Sequence, residues 1–209
     1  MLLNFDFLYD KYSMNVKGVV QVGAHYGEED SLYKSKGIKR RIYIEPMANS
    51  FKILSERFKN DENVILVNAA CGERETREVA YVDSTNQGMS SSLLAPKDHL
   101  TQHKEVIFDV AEIWNVVTLD SIEFDRANYN LLNMDVQGFE DRVLRGAYET
   151  LKHIDYIFTE VNRSDMYENC ARVEQLDNYL IDFQRVETGW ASDIHGWGDA
   201  LYISKTLLQ

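Results

Sequence analysis

Short apolar segments alternate with amphipathic segments along most of this chain, and that alternation limits the possible folds more than any other feature. The apolar segments predict strands at residues 18–24, 40–45, 64–70, 130–136 and 154–161. The amphipathic segments predict helices at residues 27–36, 47–59, 138–151 and 171–182. In the third of these helices, Val143, Leu144 and Tyr148 are predicted to face the core. The order predicts an α/β fold with parallel strands, right-handed crossovers and helices on both faces of the sheet.

Two regions depart from this alternation. Residues 76–83 and 104–118 are β-rich and are separated by a glycine- and serine-containing loop from Asn86 to Ser92, which predicts a small β insertion after the third strand. Residues 183–189 and 199–204 are two β segments joined by a turn-rich loop, as in an antiparallel hairpin. We therefore predict a mainly parallel seven-stranded sheet that ends in a C-terminal antiparallel hairpin.

The length of the chain bounds its domain organisation. Its 209 residues, 44% of them hydrophobic, suit one domain, and no linker is evident. We predict a single domain over residues 1–209. An amphipathic helix packed on that domain is predicted within residues 1–15, where apolar residues recur at helical spacing: Leu2, Phe5, Leu8, Tyr9 and Tyr12.

Charge and cysteine content limit the possible partners. The chain has 22 Lys and Arg against 34 Asp and Glu, a formal net charge of -12, and such a surface repels a nucleic-acid backbone. The segment Met1 to Asn15 lacks the basic start of a signal peptide, and no apolar run has membrane-spanning length. Cys71 and Cys170 lie far apart in the sequence. We expect a cytoplasmic protein with free thiols and with neither nucleic acid nor membrane as a partner.

A glycine-containing turn and an acidic residue mark the start of a possible nucleotide site. The first predicted strand leads into Gly23-Ala24-His25-Tyr26-Gly27 and then a helix. Glycines at such a turn allow the backbone to bend tightly and approach a ligand. Glu45 ends the second strand roughly 20 residues later, where a carboxylate can accept hydrogen bonds from a ribose diol. Separately, each feature is common in α/β proteins; together they favour a nucleoside ligand.

The acids that follow the glycine turn distinguish between two such ligands. Glu28, Glu29 and Asp30 stand where a dinucleotide would bring its pyrophosphate, and their charges would oppose it. They do not oppose a ligand that carries a sulfonium and an ammonium group. Acidic residues also suit a helix N-terminus through the helix dipole, which is the simpler interpretation. Together these features favour S-adenosylmethionine over NAD.

Several motifs resemble those of the FkbM family of methyltransferases, and the likeness runs from about Gly18 to Glu160. The segments that carry it are Val22–Gly27 (VGAHYG), Tyr43–Pro46 (YIEP), Ser90–Leu93 (SSSL), Val117–Asp120 (VTLD), Met134–Glu140 (MDVQGFE) and Val143–Ala147 (VLRGA). The resemblance implies a Rossmann-like class I methyltransferase fold and S-adenosylmethionine as methyl donor. It also implies a hydroxyl acceptor on a sugar, polyketide or similar small molecule or glycan.

Three positions depart from the family pattern. Gln21 stands where the family has an acid, His25 where it has asparagine, and Gln137 where it has glutamate. The two glutamines can still form hydrogen bonds but remove charge. The residues predicted to contact the cofactor are Gln21, Gly23, Ala24, His25, Gly27, Glu45, Pro46, Asn68, Ala69, Ser91, Asp135 and Val136.

Three residues are candidates for catalysis. Asp135 ends the fourth strand, at the edge where α/β sites form, and could act as a general base; alternatively it caps the following helix. Glu160 ends the fifth strand; alternatively it is a surface acid or the partner of Arg163. His195 lies in a tryptophan-containing loop that could cover an acceptor; alternatively the tryptophans pack on the core.

Other interpretations stay open at the level of sequence. His99 and His103 are four residues apart but lack an evident third ligand, so they are interpreted as loop or surface residues, and no metal ligands are assigned. An NAD-dependent oxidoreductase shares the glycine turn and Glu45. A non-catalytic binding module would accommodate Gln21 and Gln137. Methylation of nitrogen instead of oxygen is a further alternative.

Overall fold

The main sheet of the computed structural model, which describes residues 2–208, has seven strands in the order β3-β2-β1-β7-β8-β10-β9. The strands of the described residues are β1 (Gly18–Val22), β2 (Arg40–Ile44), β3 (Val64–Val67), β4 (Ala70–Cys71), β5 (Thr76–Asp83), β6 (Phe108–Val117), β7 (Leu131–Met134), β8 (Tyr156–Asn162), β9 (Phe183–Trp190) and β10 (Trp197–Ser204). The central strands β1, β7 and β8 are buried along their whole length, as expected of parallel strands covered on both faces.

Helices cover both faces of this sheet, as the alternation predicted. They are α1 (Phe5–Lys11), α2 (Asp30–Ser35), α3 (Ala48–Phe58), α4 (His99–Gln102), α5 (Glu140–Arg145), α6 (Tyr148–Leu151) and α7 (Val173–Tyr179). One apolar cluster contains Val143 of α5 and Leu176 of α7. A second contains Leu8 of α1, Tyr33 of α2 and Leu54 of α3. The N-terminal helix therefore packs on the sheet beside α2 and α3.

The C-terminal strands form the predicted antiparallel hairpin. β10 lies between β8 and β9 and is antiparallel to both, whereas the other neighbouring strands of the sheet are parallel. The hairpin loop is shorter than predicted, because Trp190 and Trp197 belong to the strands and pack against the core. Within residues 2–208, no helix is both long enough and apolar enough to cross a membrane. The terminal residues of the predicted domain, Met1 and Gln209, lie outside the described residues.

The β insertion after the third strand is a separate sheet of order β4-β6-β5. It contains one strand that the sequence assigned differently: the third strand was predicted to run to residue 70, but Ala70 pairs with Val116 of β6. The reason is a turn after Val67, where the side chain of Asn68 donates from Nδ2 to the backbone oxygen of Glu45 at 2.8 Å. The chain thereby leaves the main sheet at the end of β3.

Two predicted helices are shorter than their apolar pattern suggested. The helix predicted over residues 27–36 begins only at Asp30, because Gly27 has a positive φ of 72°. The helix predicted over 138–151 is divided into α5 and α6, because the backbone at Gly146 packs directly against the carbonyl of Gly72. Tyr148, predicted to face the core, is 66% exposed as a result of this break.

Asp120 stabilises the start of α6 after that break. Its carboxylate accepts hydrogen bonds from the backbone amides of Glu149 and Thr150, each at 2.8 Å, and from the Thr150 hydroxyl at 2.7 Å. A carboxylate at a helix N-terminus satisfies free amides and complements the helix dipole. The family-like motif that ends at Asp120 is therefore structural in this chain.

Candidate active site

The carboxyl ends of β1, β2 and β7 surround a cavity of about 240 Å³, which we call the first cavity. Parallel α/β sheets bind their ligands at this edge. Ten of the residues predicted to contact a cofactor line it: Gln21, Gly23, Ala24, His25, Glu45, Pro46, Ala69, Ser91, Asp135 and Val136. Its apolar wall includes Leu93, Trp114 and Phe139, which were not predicted to contact the cofactor, although Leu93 and Phe139 lie within the family-like segments.

The glycine turn is held close to the end of β7. Gly23 has a φ of 80°, and a Cβ atom at this position would lie 1.9 Å from the backbone oxygen of Asp135. Any side chain would therefore force the two segments apart. The amides of Gly23 and Ala24 both donate to the carbonyl of Ile44 at 3.0 Å, so that the turn is also tied to the end of β2.

Glu45 is a buried carboxylate in this wall. Its Oε2 accepts from the backbone amide of His25 at 2.9 Å, and its Oε1 accepts from the amide of Met47 at 2.8 Å. Burial raises the pKa of Glu45 to about 6, against the lowering effect of these two hydrogen bonds. Each carboxylate oxygen can accept more than one hydrogen bond, so both can still take a ligand hydroxyl.

Two of the departures from the family pattern also face the first cavity. Gln21 is buried, donates from Nε2 to Glu29 at 2.8 Å and accepts from the Tyr33 hydroxyl at 3.2 Å. The ring of His25 contacts Glu28 at 2.7 Å and the backbone oxygen of Gln87 at 3.0 Å. Burial alone would lower the pKa of His25, but these hydrogen bonds raise it above its ordinary value. Both side chains therefore shape the wall through fixed contacts.

The first cavity is acidic. Carboxylates of Glu28, Glu29, Glu45 and Asp135 line it, and none of the described residues that line it is a lysine or an arginine. A pyrophosphate placed there would meet uncompensated negative charge, whereas a ligand with positive charge would be stabilised. The charge of the cavity therefore fits a nucleoside that carries sulfonium and ammonium groups.

Two residues predicted to contact the cofactor lie outside the lining of the first cavity. At Gly27, a Cβ atom would lie 2.8 Å from the ring of Phe58, so this glycine permits close packing on α3. Asn68 donates to the backbone oxygens of Glu45 and Pro46 and fixes the segment that carries the carboxylate. Each of these two residues positions a neighbour of the cavity, and a direct contact of either with the cofactor stays a prediction.

A second cavity, of about 330 Å³, adjoins the first. The two share Met89, Asp135 and Gln137 in their linings. The sequence indicated Asp135 and Glu160 here but missed much of the wall. The missed residues include His99, His103, Tyr167 and Asp199, whereas Trp197 belongs to the loop that the sequence suggested could cover an acceptor.

Gln137 connects the polar groups at the junction of the two cavities. Its Nε2 donates to Asp135 Oδ1 at 2.6 Å and to Glu160 Oε2 at 2.9 Å. Its Oε1 accepts from the hydroxyl of Tyr167 at 2.8 Å. Gln137 has a positive φ of 55°, which is uncommon outside glycine and directs the side chain between the two acids. This glutamine therefore holds two carboxyl groups apart.

Asp135 is not the cap of the following helix. Its carboxylate accepts from the side chain of Gln137, and α5 begins without a side-chain cap; the loop before the helix is held by Glu140, whose Oε1 accepts from the amides of Val136 and Gly138, both at 3.2 Å. Asp135 keeps accessible surface toward both cavities. The surrounding protein desolvates its carboxylate and, with the charge of Asp199, raises the pKa of Asp135 to about 6. This acid is thus available at the point where the two cavities meet.

Glu160 is buried and does not pair with Arg163. The guanidinium of Arg163 donates to the backbone oxygens of His195 at 3.0 Å and Ser192 at 2.6 Å, in the hairpin loop. Burial and the neighbouring charge of Asp135 raise the pKa of Glu160 well above its usual range. In the sheet, Glu160 stands opposite Asp199 in the register of β8 and β10.

The structure places the histidines in positions that the sequence did not predict. His99 begins α4 and is 5% exposed, so its interpretation as a loop or surface residue was wrong. His103 lines the second cavity and accepts from Trp197 Nε1 at 3.2 Å. The predicted catalytic residue His195 is outside the cavity lining; its ring stacks on His103 with centroids 5.0 Å apart. His195 can therefore support the cavity wall but does not reach its interior.

The sheet order and the acidic first cavity, in which the described lining residues include no lysine or arginine, define a class I S-adenosylmethionine-dependent methyltransferase. More particularly, the chain belongs to the FkbM methyltransferase family, since the model of the methyltransferase FkbM domain matches residues 21–187. It is also 31% identical over 177 residues to the 2-O-methyltransferase NoeI of Sinorhizobium fredii, which covers 80% of this chain and 72% of NoeI. Membership of this family identifies the protein as a methyltransferase, and it excludes the two alternatives left open by the sequence, a dinucleotide-dependent oxidoreductase and a non-catalytic binding module.

Solved structures share the fold at low sequence identity. TehB from Haemophilus influenzae is 14% identical with a TM-score of 0.53, and the match covers 97% of this chain and 63% of TehB. Sp1610 from Streptococcus pneumoniae, solved with S-adenosyl-L-methionine, is 12% identical with a TM-score of 0.50, and the match covers 97% of this chain and 73% of Sp1610. At such identities the likeness establishes the fold alone.

Proposed function

We propose that this enzyme transfers a methyl group from S-adenosylmethionine to a hydroxyl group of a sugar or a similar small-molecule or glycan acceptor. The observation that carries the proposal is the meeting of two cavities at Asp135, one suited to a positively charged nucleoside and one lined by polar side chains. NoeI, the relative described above, is named as a 2-O-methyltransferase, which supports oxygen as the methylated atom.

The first cavity would hold the donor. Glu45 would accept hydrogen bonds from the ribose hydroxyls, and the turn at Gly23 and Ala24 would let the ligand approach the backbone closely. The apolar wall at Trp114 and Phe139 suits an adenine ring. The remaining predicted contacts, at Gln21, His25, Pro46, Ala69, Ser91 and Val136, would complete the walls. The donor supplies a methyl group that its sulfonium makes electrophilic.

The chain's own residues must then align the acceptor hydroxyl and remove its proton. With a pKa of about 6, Asp135 is mostly ionised at neutral pH and would accept that proton. Gln137 would keep the Asp135 carboxylate oriented. Glu160, whose raised pKa favours the protonated form, would donate a hydrogen bond to a neighbouring acceptor oxygen. Met89, which is shared by both cavities, would help to exclude water from the junction.

A nucleic-acid acceptor is disfavoured by charge. The chain carries 34 Asp and Glu against 22 Lys and Arg, and the second cavity adds carboxylates at Glu105, Glu160 and Asp199. A phosphate backbone would meet repulsion at this surface. The free thiols of Cys71 and Cys170, both buried, are consistent with the cytoplasm as the compartment in which the enzyme acts.

Calorimetry and a labelled-donor screen test the proposal together. We expect S-adenosylhomocysteine to bind the protein measurably and NAD to bind weakly or not at all. We also expect isotope-labelled methyl groups to appear on oxygen in at least one compound of a panel of glycosides and hydroxylated metabolites, as resolved by mass spectrometry. Tighter binding of NAD, or label found on nitrogen alone, would overturn the proposal.

A further inference from the structure

The second cavity has a distinctive charge. Carboxyl groups of Asp135, Glu160 and Asp199 face it, with Glu105 at its rim, and none of the described residues that line it is a lysine or an arginine. Burial raises the pKa of Asp199, but the backbone amides of Leu2 and Leu3 donate to its Oδ2 and favour the ionised carboxylate. The lining therefore offers negative potential with no side-chain cation to balance it.

A second and independent observation indicates that this cavity accommodates a polar ligand. His99 lines it and is 95% buried, and its Nδ1 has no hydrogen-bond partner among the described residues. An unpaired buried polar atom is costly unless a ligand satisfies it. Burial, with the neighbouring His103, lowers the pKa of His99 to about 4, so the ring is neutral at physiological pH. A neutral imidazole suits a hydroxyl or amine group.

One aromatic surface completes the cavity. The indole of Trp197 contributes to the lining, and its Nε1 is held by His103 at 3.2 Å. An indole packs well against the apolar face of a sugar ring, while polar groups around the ring take its hydroxyls. The combination of an indole, an unpaired imidazole and several carboxyls is therefore suited to a polyhydroxylated ring.

We infer that the second cavity selects its acceptor by charge: it binds a sugar that carries a protonated amino group most tightly, a neutral sugar less tightly, and an acidic sugar least. The inference rests on the proposed function, because it takes this cavity as the acceptor site. An ammonium group placed beside the carboxylates of Asp135 and Asp199 would balance their charge, whereas a carboxylate or phosphate would add a like charge in a partly desolvated site.

The test uses three sugars that share one ring and differ in charge: glucosamine, glucose and glucuronic acid, with the corresponding galacto and manno series. Saturation-transfer NMR on the full chain saturated with S-adenosylhomocysteine gives their relative affinities. We expect the amino sugar of at least one series to bind about tenfold more tightly than the acidic sugar, with the neutral sugar between them. Equal or tighter binding of the acidic sugars, or no binding of any of the sugars, would overturn the inference.

A variant pair identifies the cause of the ranking. Asp199→Asn removes one carboxylate from the cavity, and Asp109→Asn removes one from the exposed part of β6. We expect the first to reduce the preference for amino sugars severalfold, and the second to leave it unchanged. Because Asp199 also binds two backbone amides, Glu105→Gln at the exposed rim provides a second variant if Asp199→Asn fails to fold. An unaltered preference in every folded cavity variant would exclude these carboxylates.

Labelled-donor turnover with the same sugars separates this inference from the proposed function. If the amino sugars bind most tightly but no label reaches a sugar oxygen, the proposal that the enzyme methylates sugar hydroxyls is wrong, and the inference that the second cavity selects by charge is supported. If label is transferred equally well to acidic and amino sugars, the charge selection fails and the methyl transfer stands.

Discussion

The two cavities that meet at Asp135 are assembled from the chain in different ways. The first depends on short segments that directly follow β1, β2 and β7, and its critical contacts involve backbone atoms of Gly23, His25 and Met47. The second combines side chains from distant segments, such as His99 of α4 and Asp199 of β10. One cavity is thus a local consequence of the strand order, whereas the other requires the complete tertiary structure.

This difference matches the division of tasks in the proposed reaction. A donor that is the same for every family member can be bound by turns whose sequence is constrained by backbone geometry. An acceptor that differs between enzymes is better bound by side chains that can change independently. Asp135 belongs to both cavities, so changes there should affect the reaction more than changes confined to either side.

The largest expected effect is therefore that of Asp135→Asn. The amide cannot accept the acceptor's proton as a carboxylate can, so kcat should fall roughly 10²–10⁴-fold. The affinity for S-adenosylhomocysteine, measured by calorimetry, should remain close to that of the wild type, because the shape of the first cavity is retained. Asp109→Asn on the exposed surface of β6 is the matched control and should keep full activity. Undiminished turnover in Asp135→Asn would exclude this residue as the base.

Glu45→Ala should give the next largest effect, and it should change ligand binding in the first cavity only. Loss of this buried carboxylate, which we propose accepts the two ribose hydroxyls, should weaken S-adenosylhomocysteine binding by about one to two orders of magnitude. Glu56→Ala on α3 removes an exposed carboxylate and serves as the control. Thermal unfolding of both variants distinguishes a binding defect from a folding defect. If the ligand affinity of folded Glu45→Ala equals that of the control, Glu45 does not contact the ribose.

Sequence reasoning was strongest where structure is local. Gly23 and Glu45 were predicted together because each stands at a fixed place relative to a predicted strand, and both line the first cavity since parallel strands bring such places together. Gly27, in the same glycine turn, and Asn68, after the third strand, act instead on neighbouring side chains and backbone. Spacing cannot distinguish these two uses, since the direction of a loop side chain depends on the packing around it. Tyr148 was misplaced for a related reason, because the contact that ends α5 involves a distant glycine.

The second cavity was largely hidden from the sequence for the same physical reason. Asp199 faces the cavity because β10 pairs antiparallel with β8 in a register that places it opposite Glu160. That register cannot be derived from the apolar pattern of either strand alone. His99 was taken for a surface residue, although its burial depends on Phe108 and Tyr167, whose rings pack at 5.2 and 5.5 Å from its own. Residues brought together by long-range contacts leave little local signal.

The smallest expected effects are those of substituting two tryptophans, one in each cavity. They test most directly whether donor and acceptor bind in separate cavities. Trp114→Phe should raise the Kd for S-adenosylhomocysteine and leave the acceptor KM unchanged, while Trp197→Phe should do the opposite, each by about two- to tenfold. Both substitutions replace an indole by a phenyl ring, and each removes one Nε1 hydrogen bond: that of Trp114 to Glu112 and that of Trp197 to His103. Each variant therefore controls for the other. A change in both constants in either variant would mean that the cavities are coupled, and that donor and acceptor binding cannot be assigned to separate parts of the molecule.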